Sequence, residues 1–469
     1  MILGNNKLHL LIKNKNILIY LSLITIFLLL TISFLLEITD LDLVVLPFGI
    51  YFLITIFLFA VLNYFVNDKF VSKIFLLSIL FHFIFILFWH IFKYYLLGYN
   101  LPTNNSFTPF TIDNDGVLYH SLGSYVAKNF SLTTFSEHLT GGVFPKITGI
   151  LYHFFGTNPF LPCLLNCFIS GFTAIFIYLI GKNTLENKQI AKIYSVLSIL
   201  TFAHVMNTSV LIRDAYITLF MYSSIYLSFL FFKSKNIFFL PLTLISLFLL
   251  YLFRPYASYI LISAFFVAFI LCSLKGTYKN NRIKTSKFSL ILYILLPILI
   301  VTFLFILKYF LNSITLLKSI SVESLIEIRE TAYQTGAAEV SIDFGALYSK
   351  FFLLPFIIGY IYLFLAPFPW EWIYATRIVY VFDMLMLYFM LPSFFKNIKL
   401  VFIEKKYLLF SILLSIIFMF SIYCITLGNT GAIHRLRGPF IPMIYLIAML
   451  KPNKLLKKFI LSIINYKII

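Results

Sequence analysis

The sequence predicts an all-α polytopic transmembrane bundle, and three observations support this. First, 61% of the 469 residues are hydrophobic and 11% are charged, against roughly 45–50% and 25% in a soluble domain. Second, apolar runs of about 18 residues or more, the length that crosses a bilayer core, recur along the chain. Third, lysines collect in short segments between alternate runs, as they do in cytoplasmic loops. A transmembrane β-barrel is excluded because it reads as alternating segments of about ten residues. The formal net charge of +19 follows from topology, so no nucleic-acid partner is expected.

Lys7, Lys13 and Lys15 place the N-terminus in the cytoplasm. About twelve spans follow, near residues 17–36, 43–66, 74–97, 159–180, 193–206, 211–232, 237–253, 256–274, 288–311, 378–395, 407–427 and 439–450. The first apolar run lacks a small-residue cleavage site and is expected to stay. Segment 347–366 breaks the alternation. If it crosses, Lys396, Lys399, Lys405, Lys406 and the basic tail from Lys451 fall outside, against the charge rule. A re-entrant or interfacial helix, packed against protein, returns them inside. The chain is then one integral membrane domain, 1–469, with both termini cytoplasmic and two long outer loops, 98–158 and 312–376.

Loop 98–158 is polar between apolar spans. A helix over 115–130 is expected to lie on the membrane, with Leu118, Leu122, Tyr125 and Val126 on its apolar side. Segment 143–155 is too short to span and dips into the interface. Asp113 and Asp115 stand two apart before that helix. A carboxylate there serves as a base, a metal ligand or a helix cap; Asp115, before Gly116, suits capping, which leaves Asp113 unexplained.

This topology separates the two basic residue types. Six of seven arginines fall outside: Arg213, Arg254, Arg329, Arg377, Arg435 and Arg437. Guanidinium is the planar, always-charged donor suited to phosphate; the plainer reading is a side chain snorkelling at an interface. Arg213-Asp214 opens a span, either as a local ion pair or facing a cavity. Arg254 precedes Pro255 at a span end. Segment 428–439 brings His434, Arg435 and Arg437 together beside three glycines, a composition suited to phosphate through charged donors and freed amides. In 367–372, Pro-Phe-Pro-Trp-Glu-Trp, an aromatic belt explains the tryptophans and leaves Glu371 to line a site. Glu323, Glu327, Arg329 and Glu330 give a charged helix in the second outer loop. The four cysteines, Cys163, Cys167, Cys272 and Cys424, lie in apolar runs and read as buried thiols. Nucleotide-binding loops, HExxH and Cys/His metal spacings are absent.

An acidic motif in the first outer loop, Arg213-Asp214 at the head of a middle span, and Asn429…Arg435-Leu436-Arg437-Gly438-Pro439 before the last span come in a recognisable order. In this order the chain resembles the GT-C class of membrane glycosyltransferases of bacterial surface-polysaccharide assembly. It also resembles the O-antigen polymerases. The resemblance implies a GT-C-like fold in the cytoplasmic (inner) membrane and sugar transfer at its outer face, from a polyprenyl-phosphate- or diphosphate-linked donor to a glycan or lipid-linked acceptor. It implies a catalytic base at Asp113 or Asp115 and donor phosphate at His434, Arg435 and Arg437, with Arg213, Asp214, Arg254 and Glu371 alongside. Nothing in it demands a cofactor, although Asp-x-Asp suits Mg²⁺ or Mn²⁺. Unlike the better-known members, this sequence is not expected to carry a large soluble C-terminal domain. The near alternative is a repeat-unit polymerase or ligase. The distant one is a non-enzymatic flippase or transporter of lipid-linked sugar, which would show internal repeats or broken helices with charges at mid-membrane.

Overall fold

The structure, a computed structural model, describes residues 41–97, 114–137, 139, 142–279, 353–371, 380–404, 406–426 and 430–465. Asp113, the spans at 17–36 and 288–311, the charged helix around Glu323 to Glu330, Arg377 and Lys405 lie outside them. All regular elements among the described residues are helical. Their contacts divide the chain into two compact units: residues 1–171 with 209–212, and residues 172–208 with 213–469.

In the first unit, α1 (Leu41–Phe65) and α2 (Lys69–Leu97) form an antiparallel pair. Asp68 starts α2 by accepting a bond from Phe70 N at 3.3 Å, as an N-cap does. Three short helices follow: α3 (Asn114–Lys128), α4 (Leu132–Ser136) and α5 (Phe144–Phe155). At 12 residues, α5 is too short to cross a bilayer, as expected. Helices α3 and α5 approach closely because Gly123 faces Thr148 and Gly149 faces Val126. A Cβ on either glycine would meet its neighbour at 2.6 Å or less, which is how small residues let helix backbones touch. Then α6 (Phe160–Thr184) begins, capped by Asn158 Oδ1, 2.9 Å from Phe160 N. The unit boundary falls inside α6.

The second unit continues with α7 (Lys188–Ile199), α8 (Phe202–Ser209), α9 (Asp214–Ser234), α10 (Phe239–Phe253) and α11 (Pro255–Lys279). Its further described helices are α12 (Leu353–Leu365), α13 (Val381–Glu404), α14 (Tyr407–Thr426), α15 (Thr430–Arg437), α16 (Ile441–Ala448) and α17 (Lys454–Asn465). Among the described residues of both units, five helices are long and apolar enough to cross a membrane: α2, α6, α9, α13 and α14. The bent pair α7–α8 makes a sixth if counted as one span. That pair occupies the expected span at 193–206 and bends by 57°.

The second unit has two chemically different ends. Helix α9 has 21 residues, about 30 Å at 1.5 Å per residue. At its first residue stand Asp214, Arg254 and Arg435. At its other end Phe232 packs on Tyr407 at 3.9 Å, and Lys233 Nζ donates to Asn183 Oδ1 at 3.0 Å. Helix α14 therefore starts at the lysine end and runs toward the arginine end. Phe402 of α13 meets Phe410 at 5.2 Å, so α13 runs antiparallel to α14. On α12, Gly359 lies against Cys424 and Phe364 against Phe420 at 5.1 Å, so α12 also runs antiparallel to α14. Helices α12 and α13, which follow each other among the described residues, thus share a direction. At 13 residues, about 20 Å, α12 is shorter than a bilayer core. Of the segment 347–366, expected to be re-entrant or interfacial, residues 347–352 lie outside the described residues.

Candidate functional site

Asp214 is the first residue of α9, where a carboxylate is favoured by the positive end of the helix dipole. Its Oδ1 lies 2.7 Å from Arg254 Nη2 and its Oδ2 lies 2.6 Å from Arg435 Nε. The carboxylate is 1% exposed, Arg254 5% and Arg435 16%. The adjacent Arg213 adds its positive field to that of the two partners. Pro255 sets Arg254: a residue before proline is pushed out of the helical region, and Arg254 is extended at φ −151°, while its N–H still closes α10 on Leu250 O at 2.8 Å. Burial opposes the Arg254 charge, but Tyr256 and Asp214 outweigh it and hold its pKa above the ordinary arginine value. The guanidinium stands over Tyr256 at 5.8 Å. Among the described residues, its buried Nε has no hydrogen-bond partner.

The three basic residues of 428–439 do not form one cluster. They occupy the last turn of α15, and a 3₁₀ turn, Gly438–Phe440, follows directly with Arg437 at its N-cap position. Residues 434 and 437 share a helical face, and 435 is turned away from both. Arg435 reaches Asp214. Arg437 is fully buried: its Nη1 donates to Leu363 O at 3.0 Å and Ala366 O at 2.8 Å, closing the C-terminal end of α12. Its Nη2 donates to His434 Nδ1 at 3.0 Å. A guanidinium only donates, so Nδ1 is the acceptor and this imidazole carries its proton on Nε2. The His434 ring lies flat on Tyr380, 3.7 Å between centroids.

Asp383 is the residue the sequence reading passed over. It is 1% exposed and accepts hydrogen bonds from Phe202 N, at 2.7 Å, and Ala203 N. A buried carboxylate thus holds the N-terminus of α8 at the bend, while a buried guanidinium holds the C-terminus of α12. Each charge matches the helix pole it meets. The signal was present: an Asp inside an apolar run, Val381-Phe382-Asp383-Met384, is costly unless it has such partners.

In the first unit, Asp115 sits in the first turn of α3, which starts at Asn114 rather than at the expected cap position. Its carboxylate still gains from the helix dipole there. His120 Nδ1 lies 2.8 Å from the Tyr152 hydroxyl, tying α3 to α5. Burial pushes the His120 imidazole down to about 4, so it is neutral at physiological pH. Of the expected apolar side of α3, Val126 is buried, whereas Leu118 and Tyr125 are exposed. Glu371 closes a short 3₁₀ turn, Pro369–Glu371, of which its backbone alone is described. Beside it Trp370 is exposed and stacks on Phe368 at 4.7 Å. No group of three or more His, Cys, Asp or Glu among the described residues has the spacing to hold a metal ion. Comparison of the chain with family models, curated proteins and solved structures finds no match.

Proposed function

We propose that the protein is a membrane glycosyltransferase of GT-C type, with about twelve spans in the cytoplasmic membrane, that uses a polyprenyl-phosphate- or diphosphate-linked sugar. The observation behind this reading is the convergence of Arg254 and Arg435 on buried Asp214, opposite the lysine end of α9. Lysine-rich ends face the cytoplasm, so the arginines belong at the outer face. Arg435 is the more exposed of the two, and Arg254 keeps a buried donor for a further acceptor. Such donors, fixed before the reaction, stabilise charge developing on a leaving phosphate. Arg437 and His434 support this wall rather than touch the donor. The reading assigns the general base to Asp113 or Asp115 and needs no metal. A repeat-unit polymerase or ligase shares the chemistry and differs in acceptor size.

A second reading, a non-enzymatic transporter of lipid-linked sugar, has its own observation. The bent pair α7–α8 is a broken helix with the charge of Asp383 at the break, a feature of transporter sites. The test is a reconstituted assay with polyprenyl-linked sugar and a soluble acceptor glycan. Glycan extension that Asp113→Asn or Asp115→Asn lowers by about 10²–10⁴, the usual worth of a general base, supports the transferase. Movement of the lipid-linked sugar between leaflets without any extension supports the transporter instead.

A further inference from the structure

Helices α13 and α17 lie side by side in the second unit. Asn453 N donates to Ser393 Oγ at 3.1 Å, and Phe389 meets Phe459 at 5.6 Å. Leu456 and Ile460 bury one face of α17. The neighbouring face presents Lys454, Lys457 and Lys458, all exposed, at the spacing of one helical side. On α13, Lys396 and Lys399 are exposed on a stripe with Phe395, Phe402 and Ile403. None of these five lysines forms an ion pair among the described residues. Exposed Leu455 and Leu461 flank the α17 lysines. Large exposed apolar side chains interleaved with unpaired cations suit one environment, the boundary between acyl chains and negatively charged headgroups.

We infer that α13 and α17 together form a binding surface for anionic phospholipid headgroups of the membrane that holds the bundle. The apolar stripe packs on acyl chains, and the lysines reach the headgroup phosphates. This surface lies on the part of α13 farthest from the arginine cluster and does not depend on the proposed reaction.

The full chain, purified in a neutral detergent, is titrated with phosphatidylglycerol or phosphatidylcholine, and retained lipid is counted by native mass spectrometry. Phosphatidylglycerol is retained in preference. The variant carrying Lys454→Gln, Lys457→Gln and Lys458→Gln binds it about a hundredfold more weakly, and added salt has the same direction of effect. A second variant, Lys396→Gln with Lys399→Gln, weakens binding by about tenfold or more through the other helix. Equal retention of the two lipids overturns the inference, as does unchanged binding by either variant. Displacement of the lipid by soluble polyglutamate at equal charge also overturns it, in favour of an acidic protein partner.

Discussion

Arg435 Nε stands 2.6 Å from Asp214 Oδ2, although 221 residues separate the two in the chain. The same carboxylate holds Arg254, 40 residues away in sequence. One buried anion therefore joins the head of α9, the turn between α10 and α11, and the last turn of α15.

Replacing that anion exposes its structural share. Asp214→Asn keeps the volume and leaves two guanidinium groups near a neutral amide. Breaking a buried pair from one side costs about 3–5 kcal/mol, so thermal unfolding in detergent is expected to shift sharply downward. Asp214→Asn combined with Arg254→Met recovers part of the loss, because one orphaned charge has gone. A single variant as stable as the parent means that the cluster does not brace the fold.

Arg435 and Arg437 are expected to behave differently despite standing two apart. Arg435→Ala leaves Asp214 paired with Arg254, so it lowers the amount of membrane-inserted protein less than Arg437→Ala does, and it weakens retention of a polyprenyl diphosphate by roughly ten- to hundredfold, the value of a charge-assisted contact. Arg437→Ala strands two carbonyls at the end of α12, at about 1–3 kcal/mol for each buried acceptor, and lowers the amount of folded protein. Quantifying membrane-inserted protein beside lipid retention separates the two. Equal protein loss in both variants removes the distinction.

The opposition of lysine and arginine ends predicts a labelling pattern. Lys233→Cys and Lys406→Cys are protected together from an impermeant reagent added to whole cells, and Trp370→Cys reacts. Phe232 against Tyr407 puts the first two sites at one end of the unit. Labelling of Lys406→Cys from outside, with Lys233→Cys protected, contradicts the antiparallel course of α9 and α14.

His120 predicts a pH effect on the α3–α5 pair. Its folded pKa, about 4, lies below the ordinary value near 6.5. The unfolded state therefore binds the proton first, and stability rises with pH across that window. The contribution is complete above about 6.5 and is lost as the pH falls toward 4. Hydrogen exchange of α3 amides is expected to accelerate over this range, and His120→Phe is expected to flatten the dependence. An unchanged profile in the variant assigns the effect to another group.

Composition alone determined the membrane class, since a chain with so few charges has no soluble fold in which to bury its apolar runs. Local sequence also determined where helices start and stop: Asp68 and Asn158 cap α2 and α6, and Pro255 turns Arg254 out of α10. The residue types of the candidate site were legible too, because arginine, aspartate and histidine stand out against hydrocarbon. Their partners were not. Arg437 differs from Arg435 only by its angle around α15, and that angle decides between closing α12 and meeting Asp214. Asp383 passed unnoticed because its acceptors' partners are backbone amides 180 residues or more away, which no local pattern records. Tertiary packing alone chose among charges that sequence could only nominate, because in a buried setting each ionisable group is held by whichever complementary group the folded chain brings within hydrogen-bond reach.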